Sequence, residues 1–248
     1  MESFFDLELS QYSQFRIHPH FIAGVDEVGR GPLAGPVVAA CAFIHYQPGA
    51  DKIELEEILS TLLMLGVTDS KKLSSKKREM ILKDLGIDQT IVGKVTEVMK
   101  TRNVALYTSI YEVDAEQIDR INILRASLYA MRESFLSIYK FTNAHGLGSL
   151  IVDGNHAPDF EGPTSFDVNP LVKGDSKSAL VALASIVAKE YRDKLMTDYA
   201  VTYPGYGLEK HAGYPTKMHK EAIKEYGVLP IHRRTFKGVK EHTGQSAR

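Results

Sequence analysis

Asp26 and Glu27 stand side by side at the end of an apolar run, Phe21 to Val28, and lead directly into Gly29-Arg30-Gly31. Paired carboxylates at a strand end are hard oxygen ligands suited to Mg²⁺ or Mn²⁺. Glycines in the following turn let backbone N–H groups approach a phosphate or a sugar closely. A plainer role is open to the same residues, because a polar pair before Gly and Pro also ends many strands in a turn. Two nucleotide-binding patterns can be tested on this segment. Gly24 to Gly29 has P-loop spacing, but Arg30 and Gly31 occupy the places of the required lysine and hydroxyl. Gly29 to Ala34 fits G-x-G-x-x-A after a strand, with Asp51 about 20 residues on. Against that pattern, two carboxylates would face a pyrophosphate with no cation between them, and Val37 to Tyr46 reads as a second strand rather than a helix.

Two further acidic residues fall at element ends. Asp153 closes the short apolar run Ser149-Leu-Ile-Val before Gly154, and Asp175 lies where a long helix opens. Singly, each suits a turn or a helix cap. Together with Asp26 and Glu27 they could meet at one sheet edge, where ligands of α/β sheets gather. Carboxylates clustered there repel one another unless a cation joins them.

The elements that must position these residues alternate. Residues 21–28 and 36–46 read as a hairpin, 74–85 as a basic helix, and 91–99 and 104–112 as strands. Asp114 with Gln117 resembles a capping box. The apolar series Ile118, Ile121, Leu124, Leu128, Met131, Phe135 and Ile138 predicts one continuous helix behind it. Strands at 149–154 and 166–172 follow, then a helix from Lys173-Gly174-Asp175-Ser176 to about Tyr199. Strands interleaved with helices predict a mixed α/β sheet.

The 248 residues are ordinary in composition, 44% hydrophobic and 25% charged, so a sizeable core can form. No apolar run is long enough to span a membrane. The N-terminus is acidic and lacks a basic signal region, so a cytoplasmic location is expected. Cys41 is alone, within VVAACAFI, and reads as a buried thiol. Net charge is −1, yet residues 1–60 hold nine acidic and three basic side chains, whereas residues 204–240 hold eight basic and three acidic. Such local patches, with the lysines around 71–83, decide phosphate affinity more than the total does. The nine histidines show no zinc spacing.

DEVGRGPLAGPV at 26–37, DSKKLS at 69–74, LIVDG at 150–154, VKGDSKS with ASIVAKEYRDKLM at 172–196, and YPGYGLEKHAGYPT with PIHRRTF at 203–236 resemble ribonuclease HII, in order and over nearly the whole chain. The resemblance implies a ribonuclease-H-like mixed sheet flanked by helices, with an N-terminal extension over 1–20, a catalytic domain over 21–200 and a small helical C-terminal substrate-binding region over 201–248. It implies an endonuclease that cuts the RNA strand of RNA/DNA hybrids and the 5′ side of single ribonucleotides in duplex DNA, leaving 5′-phosphate and 3′-hydroxyl ends. The family's metal-binding carboxylates map to Asp26, Glu27, Asp153 and Asp175, and the implied cofactor is Mg²⁺ or Mn²⁺ in a two-metal reaction. Gly29, Arg30 and Gly31 match the loop that reads the ribose 2′-OH, and Tyr214 matches the tyrosine that packs on the deoxyribose at the junction. Lys71, Lys173 and Lys177 match positions expected near phosphates, and Asp193 is a candidate partner of the metal site or a surface ion-pair residue.

Departures from the pattern are Ala212, where relatives often carry lysine, and longer connections near 51–66 and 86–104. Ribonuclease HIII typically carries an extra N-terminal domain, which the roughly twenty residues before the first strand do not supply. A monomer acting on hybrids and ribonucleotide-containing DNA is expected, with no replication or repair partner specified. Readings from other classes are a dinucleotide-binding oxidoreductase and a noncatalytic nucleic-acid-binding module. Metal-dependent cleavage separates both from a nuclease.

Overall fold

The computed structural model describes residues 6–14, 19–87, 90–144 and 146–244. In chain order these form α1 (Asp6–Gln14), β1 (Phe21–Val28), β2 (Val37–Tyr46), α2 (Lys52–Leu65), α3 (Ser75–Asp84), β3 (Thr96–Lys100), β4 (Val104–Val113), α4 (Ala115–Ile121), α5 (Ile123–Phe141), β5 (Gly148–Asp153), β6 (Asp167–Leu171), α6 (Ala179–Thr202), α7 (Leu208–His211) and α8 (Lys217–Tyr226). One six-stranded sheet runs in the order β3-β4-β2-β1-β5-β6. Its β3, β4, β2 and β1 pairings are antiparallel, and β5 and β6 add parallel to β1. This is the mixed sheet that the alternating pattern predicts.

Strand alternation divides the core into two layers. Ile22, Val38, Ala40, Ala42 and Ile44 face α2, α3 and the first half of α6. Phe21, Ala23, Val25, Ala39, Cys41 and Phe43 face α5, where Phe21 stacks on Phe43 with ring centroids 4.8 Å apart. Burial of both faces explains why β1 and β2 read as continuous apolar runs. A third, smaller core joins Leu33, Ala34 and Met196 to Tyr206, Leu208, Ile223 and Leu229. Through it the C-terminal helices rest against the 29–36 loop.

Four elements differ from the expectation. The predicted continuous helix breaks at Asn122, which adopts φ 67° and caps α5 by accepting from the Arg125 N–H. The hydrophobic spacing runs through this break and conceals it. Asp114 accepts from the Gln117 N–H, but the reciprocal capping box belongs to Asp51 and Glu54, at the start of α2. The long connection near 51–66 is therefore a helix, ended by Gly66 at φ 85°. The strand expected over 91–99 is confined to Thr96–Lys100, and the long helix starts at Ala179 under a Ser178 cap. Asp175 consequently sits in a separate 3₁₀ turn, Gly174–Ser176.

Within 1–20, α1 lies on the body: Glu8 accepts from the Ser178 hydroxyl and the Leu180 N–H at the start of α6. No helix among the described residues is long and apolar enough to cross a membrane.

Candidate active site

Asp26 shares the α6 face of the sheet with Ile22 by strand alternation. Val25 of β1 is opposite Val152 of the parallel β5, so Asp26 and Asp153 are next in register at adjacent strand ends. Asp175 approaches from the 3₁₀ turn before α6. That helix reaches the sheet because β1 has Gly24, where a Cβ would lie 2.5 Å from the Val181 nitrogen. Asp26 and Asp175 are buried, with exposures of 4% and 5%. Glu27 belongs to the opposite face by alternation, yet at the strand end it remains within electrostatic reach of Asp153 and Lys71.

The cluster is short of positive charge. Burial, then the charges of Glu27 and Asp153, hold the Asp26 pKa well above the usual range, against hydrogen bonds from Ser185 and the Glu27 N–H. Burial lifts Glu27 to about 7 despite Arg30, whose Nη1 lies 3.6 Å from Oε1. Burial also raises Asp153, opposed by the Gly174 N–H donating to Oδ1 at 2.6 Å and reinforced by the charge of Asp175. The Lys71 ammonium donates to Asp175 Oδ2 at 3.3 Å. Ser185, in turn, is 2.8 Å from the Ser70 hydroxyl, so the 3₁₀ turn that carries Lys71 is tied to the residue that bonds Asp26.

Among the described residues no group of three or more His, Cys, Asp or Glu side chains is gathered closely enough to hold a metal ion as it stands. The donor set nevertheless fits a hard divalent cation. It consists of carboxylate oxygens, at least three of which are held above their ordinary pKa, and its nearest counter-charges are one exposed ammonium and one half-exposed guanidinium. Mutual repulsion of this kind is what a bound cation relieves.

Beside the carboxylates lies the glycine loop. A Cβ on Gly31 would meet the Tyr214 ring at 3.5 Å, so the loop lies directly beside the ring. Tyr214 is 42% exposed, a large open aromatic surface. Lys173 and Lys177 are exposed near Asp175; Lys173 has φ 58°, and the Lys177 ammonium donates to the Val172 carbonyl. Asp193 stands apart: its carboxylate pairs with Arg78 and Lys189, and Arg78 also binds Glu190. This network joins α3 to α6.

The sequence model of the ribonuclease HII family matches residues 23–239. A curated ribonuclease HII of Chlorobium chlorochromatii is 41% identical over 222 residues, covering 89% of this chain and 91% of that protein. The chain belongs to the ribonuclease HII family. The family acts as an endoribonuclease on RNA/DNA hybrids, and so does this chain. The ribonuclease H2 of Pyrococcus horikoshii OT3 superposes with TM-score 0.56 at 26% identity, covering 89% of this chain and 96% of that one. Bst ribonuclease HIII in complex with Mn²⁺ superposes with TM-score 0.63 at 18% identity over 91% and 70% of the two chains, a likeness of fold. The ribonuclease HII match separates the chain from the HIII, oxidoreductase and noncatalytic alternatives.

Sequence reasoning missed Ser70 and Ser185 beneath Asp26, and two buried arginines, Arg192 and Arg233, beneath the glycine loop. A readable signal existed for one of them. Ser185, Ala188, Arg192 and Met196 share one helical stripe whose other members are small or apolar, so Arg192 was on the buried face.

Proposed function

We propose that this ribonuclease HII cuts duplex DNA on the 5′ side of an embedded ribonucleotide, as well as the RNA strand of hybrids, leaving a 5′-phosphate and a 3′-hydroxyl. The observation that carries the reading is the juxtaposition along the chain: under-neutralised carboxylates at the end of β1, followed directly by a glycine loop whose Gly31 lies beside the exposed Tyr214 ring. Asp26, Glu27, Asp153 and Asp175 would hold two Mg²⁺ or Mn²⁺ ions, in keeping with the Mn²⁺ of the HIII complex. Bound there, such ions supply an activated water and charge stabilisation at the leaving 3′-oxygen.

The chain's own groups do the remaining work. Backbone donors of Gly29, Arg30 and Gly31 read the 2′-OH, the group that separates RNA from DNA. The Tyr214 ring, beside Gly31, packs on the following deoxyribose. Lys71 leaves Asp175 for a phosphate when cations enter, and Lys173 and Lys177 hold the flanking backbone. Residues 201–248 serve as the substrate-binding region beside a catalytic body at 21–200. A monomer in the cytoplasm, acting in the removal of misplaced ribonucleotides, completes the reading.

Incubation with a duplex containing one ribonucleotide, in Mg²⁺, Mn²⁺ or chelator, tests it. Cleavage 5′ to the ribonucleotide is expected with metal, and survival of the all-DNA control. An intact ribonucleotide strand after treatment with folded protein and either metal would overturn the proposal.

A further inference from the structure

Two guanidinium groups lie fully buried under the glycine loop, and their partners are carbonyls rather than carboxylates. Arg233 donates from Nε to Gly35 O at 3.0 Å, from Nη1 to Arg30 O and Pro32 O at 2.9 Å each, and from Nη2 to Gly29 O. Arg192 donates from Nε to Pro36 O, from Nη2 to Ala34 O and from Nη1 to Ala212 O, at 3.0–3.1 Å. Both side chains have 0% exposure. Removing an ion from water costs several kcal/mol unless hydrogen bonds compensate, and here burial pulls Arg233 down to about 9. A fold that needed only packing would place an apolar side chain at either site more cheaply.

The consequence for the loop follows from peptide geometry. In a planar trans peptide the C=O and the next N–H point in opposite directions. Drawing the carbonyls of Gly29 and Arg30 inward therefore turns the N–H groups of Arg30 and Gly31 outward, on the side where Gly31 faces the Tyr214 ring. Neither N–H has a partner among the described residues. Arg192 adds a second constraint, because its Ala212 bond joins the loop to the segment that carries Tyr214.

We propose that Arg233 and Arg192 are positioning residues for ribose recognition: Arg233 aims the Arg30 and Gly31 N–H donors outward beside the Tyr214 ring, and Arg192 sets the position of that loop relative to the ring. The inference rests on the reading of the loop as the ribose reader given above. Neither arginine touches substrate. A lysine at either position keeps the charge but cannot span several carbonyls at once, so discrimination should fall while general phosphate attraction persists.

The measurement is the ratio of binding constants for a duplex with one ribonucleotide and for the same duplex without it, in chelator so that no cleavage intervenes. Wild type, Arg233→Lys and Arg192→Lys are compared with Met131→Ala, a core truncation on the α5 side of the sheet that lowers melting temperature independently of the loop. Each lysine variant is expected to lose roughly five- to tenfold in the ratio, the scale of one misdirected hydrogen bond, whereas Met131→Ala keeps it. Equal weakening on both duplexes by the lysine variants would overturn the proposal and leave the arginines as packing clamps. Should Arg233→Lys fail to fold, Asp119→Ala carries the test. Asp119 holds the Arg234 and Thr235 N–H groups beside Arg233 from a half-buried position, so an unchanged ratio in that variant would also overturn it. A wild-type ratio of one would remove the ribose reading itself, an outcome distinct from failure of the variants alone.

Discussion

The carboxylate edge and the glycine loop are neighbours in sequence and opposites in electrostatic construction. At the edge, Asp26 is buried with two like charges near it, and protein hydrogen bonds only partly offset the cost. Under the loop, Arg192 and Arg233 are buried as deeply, but their N–H donors are occupied by backbone carbonyls. On the proposed reading, one charge cluster is completed from outside the chain, by cations, and the other is completed from inside it. The first is left under-neutralised, and the second holds its shape in advance.

The largest expected effect breaks the first half of this contrast. Asp26→Asn or Asp153→Asn should lower cleavage at least about a hundredfold, since charge stabilisation through a metal is worth several kcal/mol. The same Asp26→Asn change should raise the melting temperature of metal-free protein by a few degrees, as the cost of burying a carboxyl beside two others is removed. Mg²⁺ should then stabilise wild type more than the variant. Thermal melts with and without Mg²⁺, beside a cleavage assay, check both parts; a variant that is less stable and still active would reverse the assignment.

The second effect separates two glycines within the loop. Gly29 has φ 91°, and a Cβ there would lie 2.3 Å from Arg192 Nε, so Gly29→Ala should cost about 2–4 kcal/mol of stability through strain and a displaced guanidinium. Gly31→Ala meets only ordinary contact with the Tyr214 ring and should melt within about a degree of wild type. Its methyl nevertheless adds bulk on the face proposed to read the ribose, and a displaced substrate should lower kcat/KM roughly ten- to a hundredfold. Equal melting temperatures for the two variants would erase the distinction.

The fold was legible where periodicity and burial agree. β1, β2, β4 and β5 are apolar runs of strand length, and the ends of β1 and β5 mark Asp26 and Asp153 directly. Periodicity misled where an element is interrupted without losing its apolar stripe, as at Asn122, and where a cap rather than a stripe announces the helix, as at Asp51 and Glu54. The buried arginines were hard to see for a different reason. In a basic C-terminal segment, a residue such as Arg233 looks like one more phosphate contact, and only its carbonyl partners, about two hundred residues away in sequence, show otherwise. Asp193 illustrates the converse, a candidate near the right block whose ion partners, Arg78 and Lys189, lie at the α3 and α6 contact.

A third effect tests the aromatic wall. Tyr214→Ala should lose about 1–3 kcal/mol of transition-state binding on a single embedded ribonucleotide, the worth of one stacking contact. It should lose less on a long hybrid, where many registers offer a productive site. Tyr214→Phe should keep most activity because the ring makes the contact. Equal losses on both substrates with a lowered melting temperature would make the ring a packing element.

The smallest effect concerns how that wall is held. The Leu229 N–H donates to His232 Nδ1 at 2.9 Å, so neutral His232 carries its proton on Nε2 and offers it to His219 Nε2 at 3.0 Å. His219 then carries its own proton on Nδ1, which donates to the Tyr214 carbonyl at 3.1 Å. Burial lowers His219 to about 4 and His232 to about 3, with a neighbouring histidine adding to each. In the unfolded chain both titrate near 6.5. Below that pH the unfolded state binds more protons, so this pair removes stability as pH falls from about 6.5 toward 4, by about 1.4 kcal/mol per unit for each histidine. Glu27, raised to about 7, contributes in the opposite direction, because its folded form holds a proton that the unfolded form has released. The histidine share is therefore read as a difference in slope. Between pH 6.5 and 5, the stability of wild type should fall more steeply than that of His232→Gln, which retains an amide donor and acceptor but cannot be protonated. Denaturant unfolding at several pH values measures it, and parallel slopes for the two proteins would show that His232 is not held neutral in the folded state over this range.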